Sequence, residues 1–349
     1  MIYAGLPSAV NRVCCCSTAV ILNHMLTAAA GEMAVAAFSV QSTVGTFADS
    51  VLLGVTSTIA VFSGMFYGER DKAALRTSFR VAFRYGMLLA CGMGLLIFVS
   101  APAIAAGMLN ADAATLACTT ESLRFYAIAL PGDIFSLLLM YHYLSTRKVM
   151  LSNIVCVLYS FATWILSALV LGALLGLNGI WLSKFAAGLL FFVVLLPFLH
   201  KYRGSGLLDH IMATERDFAP DSRQVFQISV SARKEDVAEA GARMREFCAE
   251  AGMDKDKVFK ICLALEELAS NIVQHAYRDS RKNHSIDIRL VLGEDARGCL
   301  SIRDNGRKFN PLEYQYSEEQ YGLRIIRGIS DRIDYHYIAS MNCLNLYIK

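Results

Sequence analysis

Six apolar stretches fill the first 200 residues of this chain, and nothing comparable follows them. They fall at roughly 10–30, 34–67, 82–108, 123–145, 149–174 and 178–200, and about 20 helical residues suffice to cross the hydrocarbon of a bilayer. Backbone amides in hydrocarbon must be satisfied within their own segment, so stretches of this length are predicted to be transmembrane helices. After Lys201 charges become dense and the apolar runs stop. A chain of 349 residues that is 55% hydrophobic therefore divides into two parts with different solvents. The expected architecture is multi-domain: an all-α polytopic membrane domain over 1–201 with about six helices, a linker over 202–223, and an α/β domain over 224–349. One cleaved signal peptide does not explain the pattern, because apolar stretches recur after the first.

Loop charges give the orientation. Arg70, Lys72, Arg76, Arg80 and Arg84 follow the second stretch, Arg147 and Lys148 the fourth, and Lys201 and Arg203 the sixth. The alternate loops, near Glu32, from Asn110 to Glu121 and from Gly176 to Asn178, are nearly free of Lys and Arg. By the positive-inside rule both chain ends are expected in the cytosol, with the protein in the cytoplasmic membrane and lipid as its surroundings. A net charge of +3, with no basic face interleaved with aromatics, gives no reason to expect nucleic acid as a partner. The 10 cysteines include the run Cys14, Cys15, Cys16 but no C-x-x-C pair, so they are expected to be reduced packing residues.

Two carboxylates lie inside apolar stretches, Asp49 and Asp133. A charge there is costly unless it faces protein or water. Each is either a transport residue, a proton- or cation-coupling carboxylate lining a cavity, or a residue at a span end or paired with a polar neighbour. Gly45, Gly54, Pro131 and Gly132 suit close helix packing or a local break.

The opening Gly5-Leu6-Pro7-Ser8-Ala9, the span-terminal Gly64-Met65-Phe66-Tyr67-Gly68-Glu69-Arg70-Asp71 and the spacing of spans around them resemble the multidrug and toxic compound extrusion (MATE) transporters. The resemblance covers about residues 1–200, one six-helix lobe. Because the family's transporters use two lobes around a central cavity, it implies a homodimer, a second lobe from another chain, a loss of transport or an incomplete amino terminus.

Residues 202–223 carry Gly, Ser, Pro and charges without an apolar period and are expected to be a connector. His210 lies there without the long helical hairpin that a phospho-accepting histidine requires.

From Val225 the period changes. VFQISVSA alternates as a strand does, and Lys234 to Gly252 reads as a helix. Lys257 to Tyr277 reads as a second helix with Val258, Ile261, Leu265, Leu268, Ile272 and Ala276 on its buried face. Glu267 and Asn271, four residues apart, share another face. Strands are expected at about 285–292 and 299–303, then a loop, a helix from about Gly322 to Arg332 and two closing strands joined near Ser340 to Asn342. The sum is a small α/β sandwich with a mostly antiparallel sheet. Asn271 can offer a hard amide oxygen to Mg2+, and Glu267, one turn earlier, can take a proton from an attacking hydroxyl or water. Asp304-Asn305-Gly306-Arg307-Lys308-Phe309-Asn310-Pro311 follows a strand directly. The Asp304 carboxylate can accept from an adenine amino group, and Gly306 lets the backbone pass close beneath a base. Gly322 opens a helix whose free N–H groups suit phosphates.

Ala264-Leu265-Glu266-Glu267-Leu268-Ala269-Ser270-Asn271-Ile272-Val273-Gln274-His275-Ala276-Tyr277 together with Asp304, Gly306, Phe309, Asn310 and Pro311 resembles the gyrase, chaperone, histidine kinase and mismatch-repair ATPase superfamily. Within it, the match is nearest to the bacterial anti-sigma-factor serine/threonine kinases. The resemblance covers about 125 residues and implies ATP and Mg2+ as cofactors. It places Glu267 as general base, Asn271 as metal ligand, Asp304 on adenine, and Gly306, Asn310 and Gly322 around the nucleotide. It implies a protein partner such as an anti-sigma-factor antagonist or a sigma factor. The family's third motif carries several glycines, whereas Glu318-Glu319-Gln320-Tyr321-Gly322-Leu323-Arg324 retains only Gly322. The chain has no G-x-x-x-x-G-K-[ST] sequence, so a P-loop ATPase is excluded. Three functions follow as expectations: a membrane-tethered serine/threonine kinase, an ion-coupled transporter half with a regulatory nucleotide domain, or a module that binds a regulator without catalysis.

Overall fold

The structure is a computed structural model that describes residues 2–199, 207–214, 224–276, 284–292, 298–310, 326–338 and 340–348. It divides into two compact units, Met1–Ala219 and Pro220–Lys349.

The first unit is helical: α1 (Ile2–Gly68), α2 (Lys72–Met108), α3 (Ala113–Ser145), α4 (Val149–Val157), α5 (Thr163–Leu175), α6 (Leu177–Leu199) and α7 (Leu207–Met212). Among the described residues five helical stretches, with α4 and α5 running as one, are long and apolar enough to cross a membrane. The first of these holds two of the expected spans. α1 leaves helical geometry at Ala30 (φ −151°) and at Gly31 (φ 64°), a left-handed conformation natural to glycine, and so consists of two helices joined across a kink. Each is long enough to cross ~30 Å of hydrocarbon at about 1.5 Å per residue. Large apolar side chains such as Phe47, Leu95, Leu96, Val99, Leu174 and Leu189 are exposed, as a lipid-facing surface requires. The inner faces close around Leu52, Ile59, Phe79, Leu130, Ile134, Leu138 and Tyr143, all buried.

Between α1 and α2, Asp71 caps the second helix by accepting from the Ala74 N–H at 2.9 Å. Between α4 and α5 the chain makes a wide π-helical turn, Leu158–Ala162. The carbonyl of Ser160 accepts from Thr18 on α1 at 2.7 Å, that of Leu158 accepts from Thr163 at 2.8 Å, and the Ser160 hydroxyl donates to Asn11 Oδ1 at 2.9 Å. These bonds hold a turn that regular α geometry would remove.

Part of the expected connector is described. Residues 207–214 are packed against the membrane helices: Ile211, Met212 and Ala213 are buried in the same core, and Asp209 is buried beside Arg76 of α2, Oδ1 to Nε 2.9 Å.

The second unit has β1 (Gln224–Ser231), α8 (Lys234–Glu250), α9 (Lys255–Asn271), β2 (Ser285–Leu292), β3 (Gly298–Asp304), β4 (Ser330–Ile338) and β5 (Met341–Ile348). The five strands form an antiparallel sheet in the order β1-β2-β3-β5-β4. Period 2 explains its faces. Ile286, Ile288, Leu290 and Leu292 of β2, Leu300 and Ile302 of β3, and Leu344, Leu346 and Ile348 of β5 bury one side. They pack with Val237, Ala240 and Met244 of α8 and Ile261, Leu265 and Leu268 of α9. Cys248 belongs to this core, and burial pushes its thiol up to about 11, as expected of a packing cysteine. All ten cysteines are free thiols, with Cys15, Cys16 and Cys91 exposed.

Two boundaries differ from the sequence reading. α9 ends at Asn271, and Ile272–Ala276 continues it as a π-helical turn. The helix expected to reach Arg332 gives way at Ser330 to β4, because pairing with β5 from Ser330↔Ile348 onward satisfies that backbone, with a register shift between Ser330 and Arg332. Ser340, at φ 63°, makes the tight turn between the closing strands.

Candidate functional site

Asp304 is the last residue of β3 and lies on the row Leu300, Ile302, Asp304, the side that the helices cover. An apolar row thus ends in a buried carboxylate. Its Oδ1 accepts the Gly306 N–H at 2.8 Å and Asn342 Nδ2 at 3.0 Å. Both bonds converge on Oδ1, and among the described residues none is made to Oδ2. Burial raises the Asp304 pKa above the ordinary carboxylate value, against the downward pull of the Asn342 and Gly306 hydrogen bonds.

Asn342 was not singled out by the sequence. It faces Asp304 across the β3–β5 ladder, and its amide serves four partners. Nδ2 donates to Asp304 and to the Arg307 carbonyl (2.9 Å), while Oδ1 accepts from the Phe309 N–H (3.1 Å) and the Tyr335 hydroxyl (2.8 Å). One buried amide therefore fixes both the carboxylate and the loop after it.

That loop returns to the π-helical turn that follows α9. The Arg307 N–H donates to the Ala276 carbonyl at 3.0 Å. A Cβ at Gly306 would lie 2.6 Å from Ala276 Cβ and 2.6 Å from Asp304 Oδ1. Glycine is required here by the approach of the Ala276 and Asp304 side chains, a more local reason than room beneath a base.

Glu267 and Asn271 sit half-buried on one face of α9, one turn apart, with Asn271 just before the turn that ends at Ala276. Among the described residues neither side chain makes a hydrogen bond or ion pair. The adjacent Glu266, by contrast, is exposed and lies 3.8 Å from Arg245. The arrangement offers an open carboxylate and an open amide from a helix end, and a second carboxylate held under that end by the sheet. Asn310 closes the described part of the loop; Pro311 and Gly322 lie outside the described residues, as does the glycine-poor stretch 318–324. No group of three metal-ligating side chains occurs among the described residues. An ion at Asn271 would thus depend on phosphate and water for most of its shell, which suits magnesium held with a nucleotide.

In the membrane unit Asp49 is exposed on α1, while Asp133 is buried in α3 and paired with Lys184 of α6, Oδ2 to Nζ 2.9 Å. The rule that picks out Asp133, a charge within an apolar span, also applies to Lys184, which the sequence reading passed over.

Residues 7–170 match the MatE family model, and residues 230–348 match the model of the histidine kinase-like ATPase domain. Among solved structures the chain is similar to a MATE in complex with MaL6, at 20% identity and a TM-score of 0.52, over 55% of this chain and 44% of that one. It is also similar to an outward-facing multidrug resistance MATE family transporter of the MOP superfamily (21%, 0.52, 54% and 43%) and to a MATE in the straight conformation (20%, 0.52, 54% and 43%). At such identity the likeness shows the fold, and the chain spans less than half the length of each of these transporters. No curated protein matches it. Each match covers less than half of the chain, which is thus a membrane protein whose first part matches the MatE model and whose last part matches the model of a histidine kinase-like ATPase domain.

Proposed function

We propose that this protein is a membrane-tethered kinase of the anti-sigma-factor type, whose ATPase domain passes the γ-phosphoryl group of ATP to a serine or threonine hydroxyl of a partner protein. The observation that carries this reading is the pairing of an open carboxylate, Glu267, with a pinned one, Asp304, on two segments that Arg307 and Ala276 tie together. Asp304 Oδ2 receives the adenine amino group. Asn271 offers its carbonyl oxygen to Mg2+, which when bound neutralises charge on the phosphates. Glu267 takes the proton of the acceptor hydroxyl as its oxygen bonds to phosphorus and ADP leaves. Gly306 and Asn310 shape the loop beside the nucleotide, and the role of Gly322 toward the phosphates rests on the sequence resemblance alone. The acceptor is an anti-sigma-factor antagonist or a similar regulator of a sigma factor. The membrane lobe, in the cytoplasmic membrane with both chain ends in the cytosol, serves as sensor or anchor.

Glu267→Gln in the full chain tests it. Nucleotide binding should persist while phosphotransfer falls by about 10²–10⁴-fold, the range for a lost general base. Unchanged phosphotransfer would overturn the role.

The match of 7–170 to MatE favours a second reading, a transporter half that acts with a second copy or another lobe and uses its nucleotide domain for regulation. Ion-dependent drug flux in vesicles that Asp49→Asn or Asp133→Asn abolishes, and Asp304→Asn leaves intact, is the outcome it requires.

A further inference from the structure

The buried pair Asp133–Lys184 is part of a larger arrangement. Asp133 Oδ1 accepts the Tyr159 hydroxyl at 2.7 Å, and its Oδ2 faces Lys184 Nζ at 2.9 Å. The same ammonium lies 4.6 Å from the ring centre of Tyr126 and 5.0 Å from that of Trp164. One carboxylate and two aromatic faces are the elements of a site for an alkylammonium ion, which carries three N–H donors and is attracted to a ring face. Four segments supply them: α3 gives Asp133 and Tyr126, the π-helical turn gives Tyr159, α5 gives Trp164 and α6 gives Lys184.

The local backbone is shaped to build it. A Cβ at Gly132 would stand 3.0 Å from the Tyr159 hydroxyl, so glycine beside Asp133 makes room for the tyrosine to reach the carboxylate. The wide turn that Thr18 and Asn11 hold from α1 carries Tyr159 there. Both charges are largely withdrawn from solvent, with side-chain exposures of 14% for Lys184 and 7% for Asp133.

We propose that Asp133, Tyr159, Tyr126 and Trp164 form a cation cage that the chain fills with its own Lys184, so that Asp133 draws no free monovalent cation from solution. A free ion entering the cage meets a like charge already at the carboxylate. Remove the lysine head and stem, and the cage becomes a site for a primary alkylammonium ion. The inference is independent of the phosphotransfer reading. Under the transporter reading it leaves Asp49 as the carboxylate of the membrane helices without a lysine in its place.

The test uses the full-length chain in lipid nanodiscs, in an Asp49→Asn background so that the exposed carboxylate does not report. Unfolding midpoints are recorded against sodium, potassium and methylammonium chloride, with N-methylglucamine chloride holding ionic strength constant. With Lys184 present the midpoint should be indifferent to which cation is used. Lys184→Ala should lower it and confer a saturable recovery with methylammonium, and adding Asp133→Asn should abolish that recovery. A sodium- or methylammonium-dependent rise in the protein that retains Lys184, or no recovery in Lys184→Ala, overturns the proposal. Should Lys184→Ala fail to fold, reductive methylation of the unmodified protein decides. Lys184 should resist labelling under conditions that fully modify the exposed Lys255, and equal labelling of the two overturns the cage.

Discussion

Asn342 and Asp304 face each other across the β3–β5 ladder, and the amide of one donates to Oδ1 of the other at 3.0 Å. Asn342→Ala removes four hydrogen bonds at once and leaves Asp304 with the Gly306 N–H alone. Unmet buried groups cost about 1–3 kcal/mol each, so the variant should unfold at a visibly lower temperature and bind nucleotide at least ~10-fold more weakly. Calorimetric titration of the full-length protein with a non-hydrolysable ATP analogue checks the second effect. Asn342→Asp should be worse still, because it sets two carboxylates against each other.

Acidification should weaken nucleotide binding earlier than an ordinary aspartate would allow. Burial raises the Asp304 pKa, and adenine recognition needs the ionised form as acceptor. The sign for stability is opposite. A carboxyl raised in the folded state holds its proton where the unfolded chain has lost it, so its contribution to stability is present below the ordinary carboxylate pKa. It is lost as pH rises from that value through the raised one. Affinity measured against pH should fall on the acid side in the wild type, and the fall should be shallower in Asp304→Asn, whose residual pH dependence belongs to the nucleotide. Identical profiles would remove Asp304 from the base contact.

Gly306→Ala should be disruptive although it adds a single methyl group. The new Cβ meets Ala276 and the Asp304 carboxylate at 2.6 Å, so either the loop or the π-helical turn that follows α9 must move. Overpacking of this kind costs about 1–3 kcal/mol. The expected result is a lower melting temperature together with lost nucleotide affinity, and partial recovery on adding Ala276→Gly. Failure of that second change to restore anything would place the clash elsewhere.

These sites show what sequence patterning reveals and where it stops. α9 is legible because Val258, Ile261, Leu265 and Leu268 recur at helical spacing, and Asp304 because it completes the row Leu300, Ile302, Asp304. Its partner Asn342 is 38 residues away and acts only once β5 is in register, so local spacing cannot reveal it. Lys184 is visible as a charge in an apolar span, but Tyr159 reaches the same carboxylate through a π-helical turn that no periodicity marks. The start of β4 is misread because Ile326, Ile329 and Ile333 keep near-helical spacing, and the ladder with β5 overrides it from Ser330 onward. α7 escapes notice because six residues are too few to hold a helix by propensity; its order comes from contacts.

Those contacts make the last prediction. His142, buried in α3, places Nε2 3.1 Å from the Met212 carbonyl oxygen and Nδ1 3.0 Å from the Ser63 hydroxyl. A carbonyl only accepts, so the proton is on Nε2 and Ser63 donates to Nδ1. The next residue, Tyr143, donates its hydroxyl to the Ile211 carbonyl, and Arg76 pairs with Asp209. Helices α1, α2 and α3 thus all bear, directly or through one side chain, on the six residues of α7. Tyr143→Phe and Arg76→Ala each remove one anchor while leaving the membrane core intact. A net hydrogen bond contributes about 1 kcal/mol, so each should speed amide exchange over 208–214 by roughly 5-fold, and both together by more than either alone. Exchange read by mass spectrometry on the nanodisc-embedded protein, with peptides from the middle of α3 as the unchanged control, distinguishes a released α7 from general loosening. Exchange that stays at wild-type rates in the double variant would mean that burial of Ile211 and Met212 alone holds the helix in place.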